Sequence, residues 1–463
     1  MKNDLDALFK PKSVAVLGAS KHPEKLGHIV LKNLSKGKFT LYPVNPKEKE
    51  ILGLRCYPSI SDAPGHVDLA ILALPAPASE AGVRECAQKG VRAVIVIASG
   101  FRETGPEGSA LESRLLEAIK GTRTRILGPN TMGLFVPSIG LDTLMIRSEQ
   151  SRRPRKGDIA MISQSGAVMV AFLEKAEAAG VGVSACVGLG NECDIKENEV
   201  LDYLCDDGHT KCIAFYLESF SDGRVFLDRA RTVAEKKPIV VLKSGRTGTG
   251  EKAAKSHTGA LSSSDSVVDG VLRQAGIVRA YDEEELLDVA KAMTFVDHIQ
   301  GNRICVVASA GGFGVIATDY IESRDHGVGL SMARLSKKTA DELRSIAPEF
   351  SSVRNPVDLT SGVTDEMYDS VLGVLMDDPG IDCIMMSLEM QAPHITRKLI
   401  EVAEARGGSG KTPLVISAFA GMRTGAIIND LARHGVAAYP SIWRAVRAIS
   451  ALSERGRYLD RLK

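Results

Sequence analysis

The sequence predicts an α/β protein with doubly wound parallel sheets, and three observations carry that expectation. Strand-like runs of Val, Ile and Leu alternate with helical stretches along the whole chain. The runs are short and apolar on both faces, as suits central parallel strands covered by helices on both sides. Three times a strand enters a turn of small residues and then a helix: VAVLGAS from Val14, IAMISQSGAV from Ile159 and ICVVASAGGFGV from Ile304. Their spacing is about one domain length, which predicts three Rossmann-like or flavodoxin-like units.

Ten strands are expected, at Val14 to Leu17, Leu41 to Val44, Leu69 to Leu74, Ala93 to Ile97, Ile159 to Ile162, Ile213 to Leu217, Ile239 to Leu242, Ile304 to Ala308, Ile384 to Ser387 and Leu414 to Ile416. At about 150 residues per domain, 463 residues also suggest about three domains. Arg147 to Gly157 and Asp297 to Arg303 have the polar composition of connections.

Charge excludes some function classes. Lys plus Arg number 58 against 57 for Asp plus Glu, so no global field attracts nucleic acid or an anionic membrane, and neither is expected as a partner. The eight cysteines are scattered without a C-x-x-C pair, which reads as reduced buried thiols in a cytoplasmic protein with no zinc site. No apolar run approaches the roughly 20 residues that span a bilayer, and Met1 to Lys12 contains no apolar signal core.

In the first unit, Gly18 follows a buried strand and opens a helix, where backbone N–H groups can face a phosphate. GASKHPEKLG, Gly18 to Gly27, lacks the G-x-G-x-x-G spacing of a dinucleotide fingerprint. After the second strand, where an acid would hold a ribose diol, YPVNPK places Asn45 and Lys47. That favours an extra phosphate, and CoA fits better than NAD; the competing reading is a tight turn with no ligand. LPAPA (Leu74 to Ala78), IASGFRETG (Ile97 to Gly105) and GPNTMG (Gly128 to Gly133) each follow a strand, at the sheet edge where open α/β proteins bind ligands.

In the second unit, KSGRTGTGEKAAKSHTGALSSSD, Lys243 to Asp265, is rich in Gly, Ser, Thr and cations and carries one histidine, His257. Such a loop cannot build a core, but it can satisfy phosphate oxygens. A neutral imidazole is a nucleophile near pH 7, and its N–P bond stays reactive enough to pass the group on. Its second ring nitrogen needs an acceptor, and Glu218, just after the strand Ile213 to Leu217, is the candidate. The alternative is an ordinary solvated histidine in a flexible or nucleic-acid-contacting loop. Helices beginning near Ser165 and Gly166, and near Gly311 and Gly312, offer two N-termini that could hold a histidine-bound phosphate without a metal. The alternative at Gly311 to Gly314 is a strand-to-helix turn that needs small residues for packing.

SHTGA around His257, SQSGA (Ser163 to Ala167), GLGNECDI (Gly188 to Ile195) and NPVDLTSG (Asn355 to Gly362) resemble, in kind and order, the alpha subunit of NDP-forming acyl-CoA synthetases in the succinyl-CoA synthetase alpha superfamily. The resemblance implies a Rossmann-like CoA-binding domain over residues 1–129, a flavodoxin-like ligase domain with the phosphohistidine loop over 130–297, and a second ligase-type domain over 298–463. It implies catalysis by His257 and Glu218, and CoA contacts from Gly18, Ala19, Ser20, Lys25, Asn45, Lys47, Pro75, Ser99 and Glu103. Asn130, Ser165, Gly166, Gly311 and Gly312 are the implied acyl or phosphate contacts.

No G-x-x-x-x-G-K-[ST] loop or recognisable ATP-grasp domain occurs in the chain. ADP or ATP, with Mg, is therefore expected on a nucleotide-binding ATP-grasp beta subunit, in an α2β2 assembly. The implied reaction is acyl-CoA plus phosphate plus ADP to acid, CoA and ATP, with acetate the family's usual acid. Rivals are a CoA-binding regulator without catalysis and an alpha-like subunit with another acyl preference.

Overall fold

The computed structural model describes residues 5–250, 252, 264–323, 328–389, 392–407, 412–419 and 421–463. Residues 1–174 with 182–279 form one compact unit, and 175–181 with 280–463 form a second.

The first unit contains two large sheets. In the first, β1 (Ser13–Leu17), β2 (Thr40–Val44), β5 (Leu69–Leu72), β6 (Ala93–Val96) and β7 (Arg125–Leu127) are parallel in the order β2-β1-β5-β6-β7, while β3 (Glu50–Ile51) and β4 (Leu54–Arg55) form a separate small hairpin. All five residues of β1 are buried, which is why SVAVL carries no polar face. Val83 and Cys86 of the helix Ala76–Gln88, with Leu115 of the helix Pro106–Ile119, join Ala70, Val94 and Ile126 in a single core. The order reverses between β1 and β5, so a crevice lies at their carboxyl ends.

The second sheet comprises β8 (Leu134–Val136), β9 (Leu141–Asp142), β10 (Lys156–Ser163), β11 (Val183–Gly188), β12 (Cys212–Leu217), β13 (Ile239–Lys243) and β14 (Val278–Ala280), in the order β14-β13-β12-β10-β11-β8-β9. Strands β10 to β13 run parallel, and the hairpin β8–β9 adds antiparallel at β11. Here the order reverses between β10 and β12, which makes the second crevice.

The second unit holds the third sheet: β15 (Arg303–Ala308), β16 (Ser331–Met332), β18 (Cys383–Glu389), β19 (Leu414–Phe419) and β20 (Ala437–Tyr439), in the order β16-β15-β18-β19-β20, with β17 (Val357–Asp358) paired to β15. Its core gathers Val307, Val357, Tyr368, Ile384, Met386 and Ile416.

All ten expected strands are present, with ends shifted by a few residues. Strand β11 was not foreseen although VSACVG is fully buried, nor was the β8–β9 hairpin. The two polar connections are not loose tethers. Arg153 donates to Asp142 Oδ2 at 2.9 Å and to the Ile146 carbonyl at 2.8 Å, and Ile299 N–H donates to the Leu452 carbonyl at 3.3 Å. The polar composition that marks the first of them as a connection thus includes a cation paired within the fold.

Candidate functional site

The first crevice is shaped by two close backbone approaches. Gly18 turns the chain out of β1 at φ +80°, and a β-carbon there would meet the Ala73 carbonyl oxygen at 2.5 Å. Gly27, in the helix Leu26–Leu34, leaves no room either: its β-carbon would stand 2.0 Å from the Gly18 carbonyl oxygen. The sequence therefore needs glycine at both ends of GASKHPEKLG, which brings the helix N-terminus against the end of the sheet.

Ala19 is buried, and the Ser20 hydroxyl accepts the His22 N–H at 3.1 Å. Lys25 and Lys47 are exposed, Lys25 at the helix N-cap. Asn45 ties two loops together: its Nδ2 donates to the Ala19 carbonyl at 2.7 Å, and its Oδ1 accepts the Lys47 N–H at 2.9 Å. It builds the crevice as a brace. Pro75 caps the helix Ala76–Gln88, at the end of β5, and Ser99 is exposed beyond β6. Glu103 faces inward. Its Oε1 accepts from the Gly100 and Phe101 N–H groups at 2.6 and 3.1 Å, and its Oε2 from Asn191 Nδ2 at 2.6 Å. Burial works to raise its pKa, but these hydrogen bonds outweigh it and hold the carboxyl below the usual range.

At the second crevice, β10 ends in Ser163 and β12 in Leu217, so the SQSGA turn and Glu218 are neighbours across the reversal of strand order. Glu218 is 6% exposed, and the Tyr216 hydroxyl donates to its Oε1 at 3.3 Å. Ser165 opens the helix Gly166–Ala178: its hydroxyl accepts the Val168 N–H at 3.4 Å, and its carbonyl accepts the Met169 N–H at 3.1 Å. Gly166 fits beside Met132, whose Cγ would lie 2.2 Å from an added β-carbon. Asn130 is exposed at φ +57°, and its Nδ2 donates to Asn191 Oδ1 at 3.3 Å. His257 lies outside the described residues.

In the second unit, Gly311 and Gly312 are exposed at the N-terminus of the helix Gly311–Glu322. An added β-carbon would lie 2.8 Å from Asp358 Oδ2 at Gly311 and 3.0 Å from Pro356 Cβ at Gly314, whereas at Gly312 it would meet nothing within 4 Å among the described residues. Packing thus accounts for the small residues at 311 and 314. Gly312 has no such constraint.

Sequence reasoning missed Gln164, Asn191 and Glu192. Gln164 bonds Glu192, Glu218 and Ser219, while Asn191 bonds Glu103 and, at 2.9 Å, Glu112. The signal was available: Gln164 is the large polar residue among small ones in SQSGA, and Glu192 is an acid inside the motif GLGNECDI.

The architecture defines a class first: a CoA-binding domain followed by ligase domains of the succinyl-CoA type. Residues 12–137 match the CoA binding domain family, 156–293 the succinyl-CoA ligase like flavodoxin domain and 304–458 the ligase-CoA domain. The chain is 37% identical to the acetate–CoA ligase [ADP-forming] I subunit alpha of Pyrococcus furiosus, with 97% of each chain covered. It is 32% identical to the 4-hydroxybutyrate–CoA ligase [ADP-forming] of Nitrosopumilus maritimus over 96% of this chain, but spans only 63% of that longer one. Among solved structures, the dinucleotide forming acetyl-coenzyme A synthetase 1 of Ca. Korarchaeum cryptofilum, in complex with phosphate and ADP, superposes with a TM-score of 0.91 at 32% identity, covering 99% of both chains. The chain belongs to the ADP-forming acetate–CoA ligase family of acid–thiol ligases. Among the described residues no helix is long and apolar enough to cross a membrane.

Proposed function

We propose that this chain is the alpha-type subunit of an ADP-forming acyl-CoA synthetase, working with a nucleotide-binding partner. One observation carries the reading. The reversal of strand order in the second sheet sets a buried carboxylate, Glu218, beside the turn that opens the helix at Gly166, where N–H groups and the helix dipole favour a phosphate. In this reading Glu218 accepts a hydrogen bond from the N–H of one His257 ring nitrogen, leaving the other as the nucleophile.

The reaction balances in three steps. A phosphate oxygen attacks the thioester carbonyl, the C–S bond breaks and CoA leaves as the thiol, giving acyl phosphate. His257 then attacks phosphorus, the P–O bond breaks and the acid departs as carboxylate. Last, the N–P bond breaks as the phosphoryl group passes to ADP. CoA lies in the first crevice against the turn from Gly18 to Ser20, with Lys25 and Lys47 as exposed cations and Pro75 and Ser99 at the rim. Asn45 and Glu103 support those loops from behind. Asn130 and Ser165 contact the acyl or phosphate group, and Gly311 and Gly312 offer a second helix N-terminus.

The partner reading is supported by the relatives. The Pyrococcus protein is named as a subunit, and this chain spans 63% of the Nitrosopumilus ligase, leaving more than a third of that protein's length unmatched. We assign ADP and Mg to an ATP-grasp beta subunit, the assembly as α2β2 and the location as cytoplasmic. Domains fall at 1–129, 130–297 and 298–463. Acetate is the proposed acid.

The test is phosphate transfer to the chain. With labelled phosphate, acetyl-CoA and the partner subunit, wild type is expected to form an acid-labile, base-stable phosphoprotein that His257→Ala abolishes and Glu218→Gln strongly reduces. Equal labelling of His257→Ala, or an unlabelled wild type across a panel of acyl-CoAs, would refute the reading.

A further inference from the structure

Behind Glu218 lies a network of polar groups in which Glu192 and Glu197 are buried and Gln164 is half-buried. Gln164 uses every hydrogen-bonding position of its amide: Nε2 donates to Glu192 Oε1 at 2.7 Å and to the Ser219 carbonyl at 2.9 Å, and Oε1 accepts from the N–H groups of Glu218 at 2.6 Å and Ser219 at 3.1 Å. The two backbone donors and the backbone acceptor fix which way the amide points. Two residues further on, Ser221 donates from its N–H and its hydroxyl to Glu197 Oε1 at 2.9 and 2.8 Å. Segment 218–221 is therefore held at its start by Gln164 and at its end by Glu197.

Glu192 completes the network. Its side chain is hydrogen-bonded to that of Glu197 as well as to Gln164, and the two carboxyls are 4% and 0% exposed. Two such groups in contact cannot both be ionised. Burial, and then the neighbouring Glu197, hold the Glu192 carboxyl protonated, well above the usual range. Glu192 also sits at φ +53°, a conformation unfavourable for a side chain of its size. A buried acid and a strained backbone together are an expense that folding alone does not call for. An apolar turn would pack this site at lower cost.

We propose that Gln164, Glu192 and Glu197 form a positioning clamp for Glu218, fixing the carboxylate that orients His257 and so governing the rate of phosphoryl transfer without touching substrate. The inference rests on the roles of His257 and Glu218 proposed above. The clamp works through the backbone: the two bonds from Gln164 Oε1 set where the Glu218 Cα lies, and the Tyr216 hydroxyl then steadies its side chain.

The test uses the chain assembled with its nucleotide-binding partner and follows loading of His257 from Mg-ATP in a single turnover, with CoA affinity measured alongside. Gln164→Leu keeps the volume and removes the clamp. It is expected to slow loading by about 100-fold, as misplacement of a catalytic group by an ångström does, while leaving CoA affinity unchanged. Combined with Glu218→Gln it should add little, because the two residues act as one unit. Glu192→Leu should match Gln164→Leu, and Glu192→Gln, a neutral isostere of the protonated acid, should restore most of the rate. If Gln164→Leu does not fold, Gln164→Asn and the Glu192 pair carry the same comparison. Wild-type loading rates in Gln164→Leu, full multiplicity of its effect with that of Glu218→Gln, or no rescue by Glu192→Gln would overturn the clamp alone. A wild type that fails to load at His257, or loads independently of Glu218, would overturn the proposed function and the clamp with it.

Discussion

Replacing Gly27 with alanine tests how the first crevice is built. A β-carbon at this position would stand 2.0 Å from the Gly18 carbonyl oxygen and 3.0 Å from Ala19 Cα. A carbon settles against a carbonyl oxygen at about 3.3 Å, so the helix Leu26–Leu34 and the turn must part by about 1.3 Å. Both sides are backbone, and no rotamer change relieves the clash. Overpacking of this kind costs about 1–3 kcal/mol. The same movement pulls the Ala19 carbonyl from Asn45 Nδ2, now 2.7 Å away, and loses about 1 kcal/mol more. The N–H groups of the proposed CoA site move with the turn, and losing two bonds from them to phosphate is expected to weaken CoA binding by about 100-fold. Titration calorimetry with CoA and urea unfolding of the first unit read both effects. Gly208→Ala serves as the control, since a β-carbon there meets nothing within 4 Å among the described residues. If Gly27→Ala binds CoA and resists urea as well as that control, the crevice is not built by this close approach.

Three further outcomes follow from the polar interior. Arg125, on β7, donates to Asp194 at 3.0 Å and to Glu199 at 2.9 Å; Arg125→Met should cost the first unit about 2 kcal/mol in urea unfolding, short of a fully buried pair because the side chain keeps 23% exposure. An unchanged midpoint would refute it. The folded chain keeps the Glu192 proton while the unfolded chain loses it above the ordinary value of 4.5, so this group's contribution is complete below pH 4.5 and declines as pH rises. Glu192→Gln should flatten that decline and gain on wild type toward neutral pH; parallel curves would contradict the assignment. In the second unit, burial pushes the Lys291 ammonium down to about 8 from 10.5, beside Asp288 and 4.0 Å from the Tyr439 ring centre. The unfolded chain holds that proton longer, so stability from this group rises with pH between about 8 and 10.5. Lys291→Met should abolish the rise in denaturant titrations, and an unchanged slope would count against it.

The composition of the chain settles much of the fold. β1, β5 and β6 contain only buried residues, and continuous Val, Ile and Leu runs of that length can be satisfied only between two layers of helices. The glycines at positions 18 and 27 are likewise legible, because a small-residue turn after such a strand has few other uses. Family resemblance came from local motifs, and those motifs lie on turns at the carboxyl ends of strands, where sequence and ligand chemistry meet directly.

Tertiary structure alone showed which polar side chains are tied to which others within the protein. Asn45 and Glu103 are expected as ligand contacts from the sequence, and the structure adds their hydrogen bonds to Ala19, Lys47, Gly100, Phe101 and Asn191. Gln164 and Glu192 are 28 positions apart, and Glu197 is 24 from Ser221, so no local pattern joins them. Strand order brings them together: β10 lies between β11 and β12, which places the loops after all three strands at a single edge. Hydrophobic periodicity records which face of an element is buried and carries no information about its neighbour. The partners of a buried polar group depend on that neighbour, and for that reason the clamp behind Glu218 appears only once the sheet is assembled.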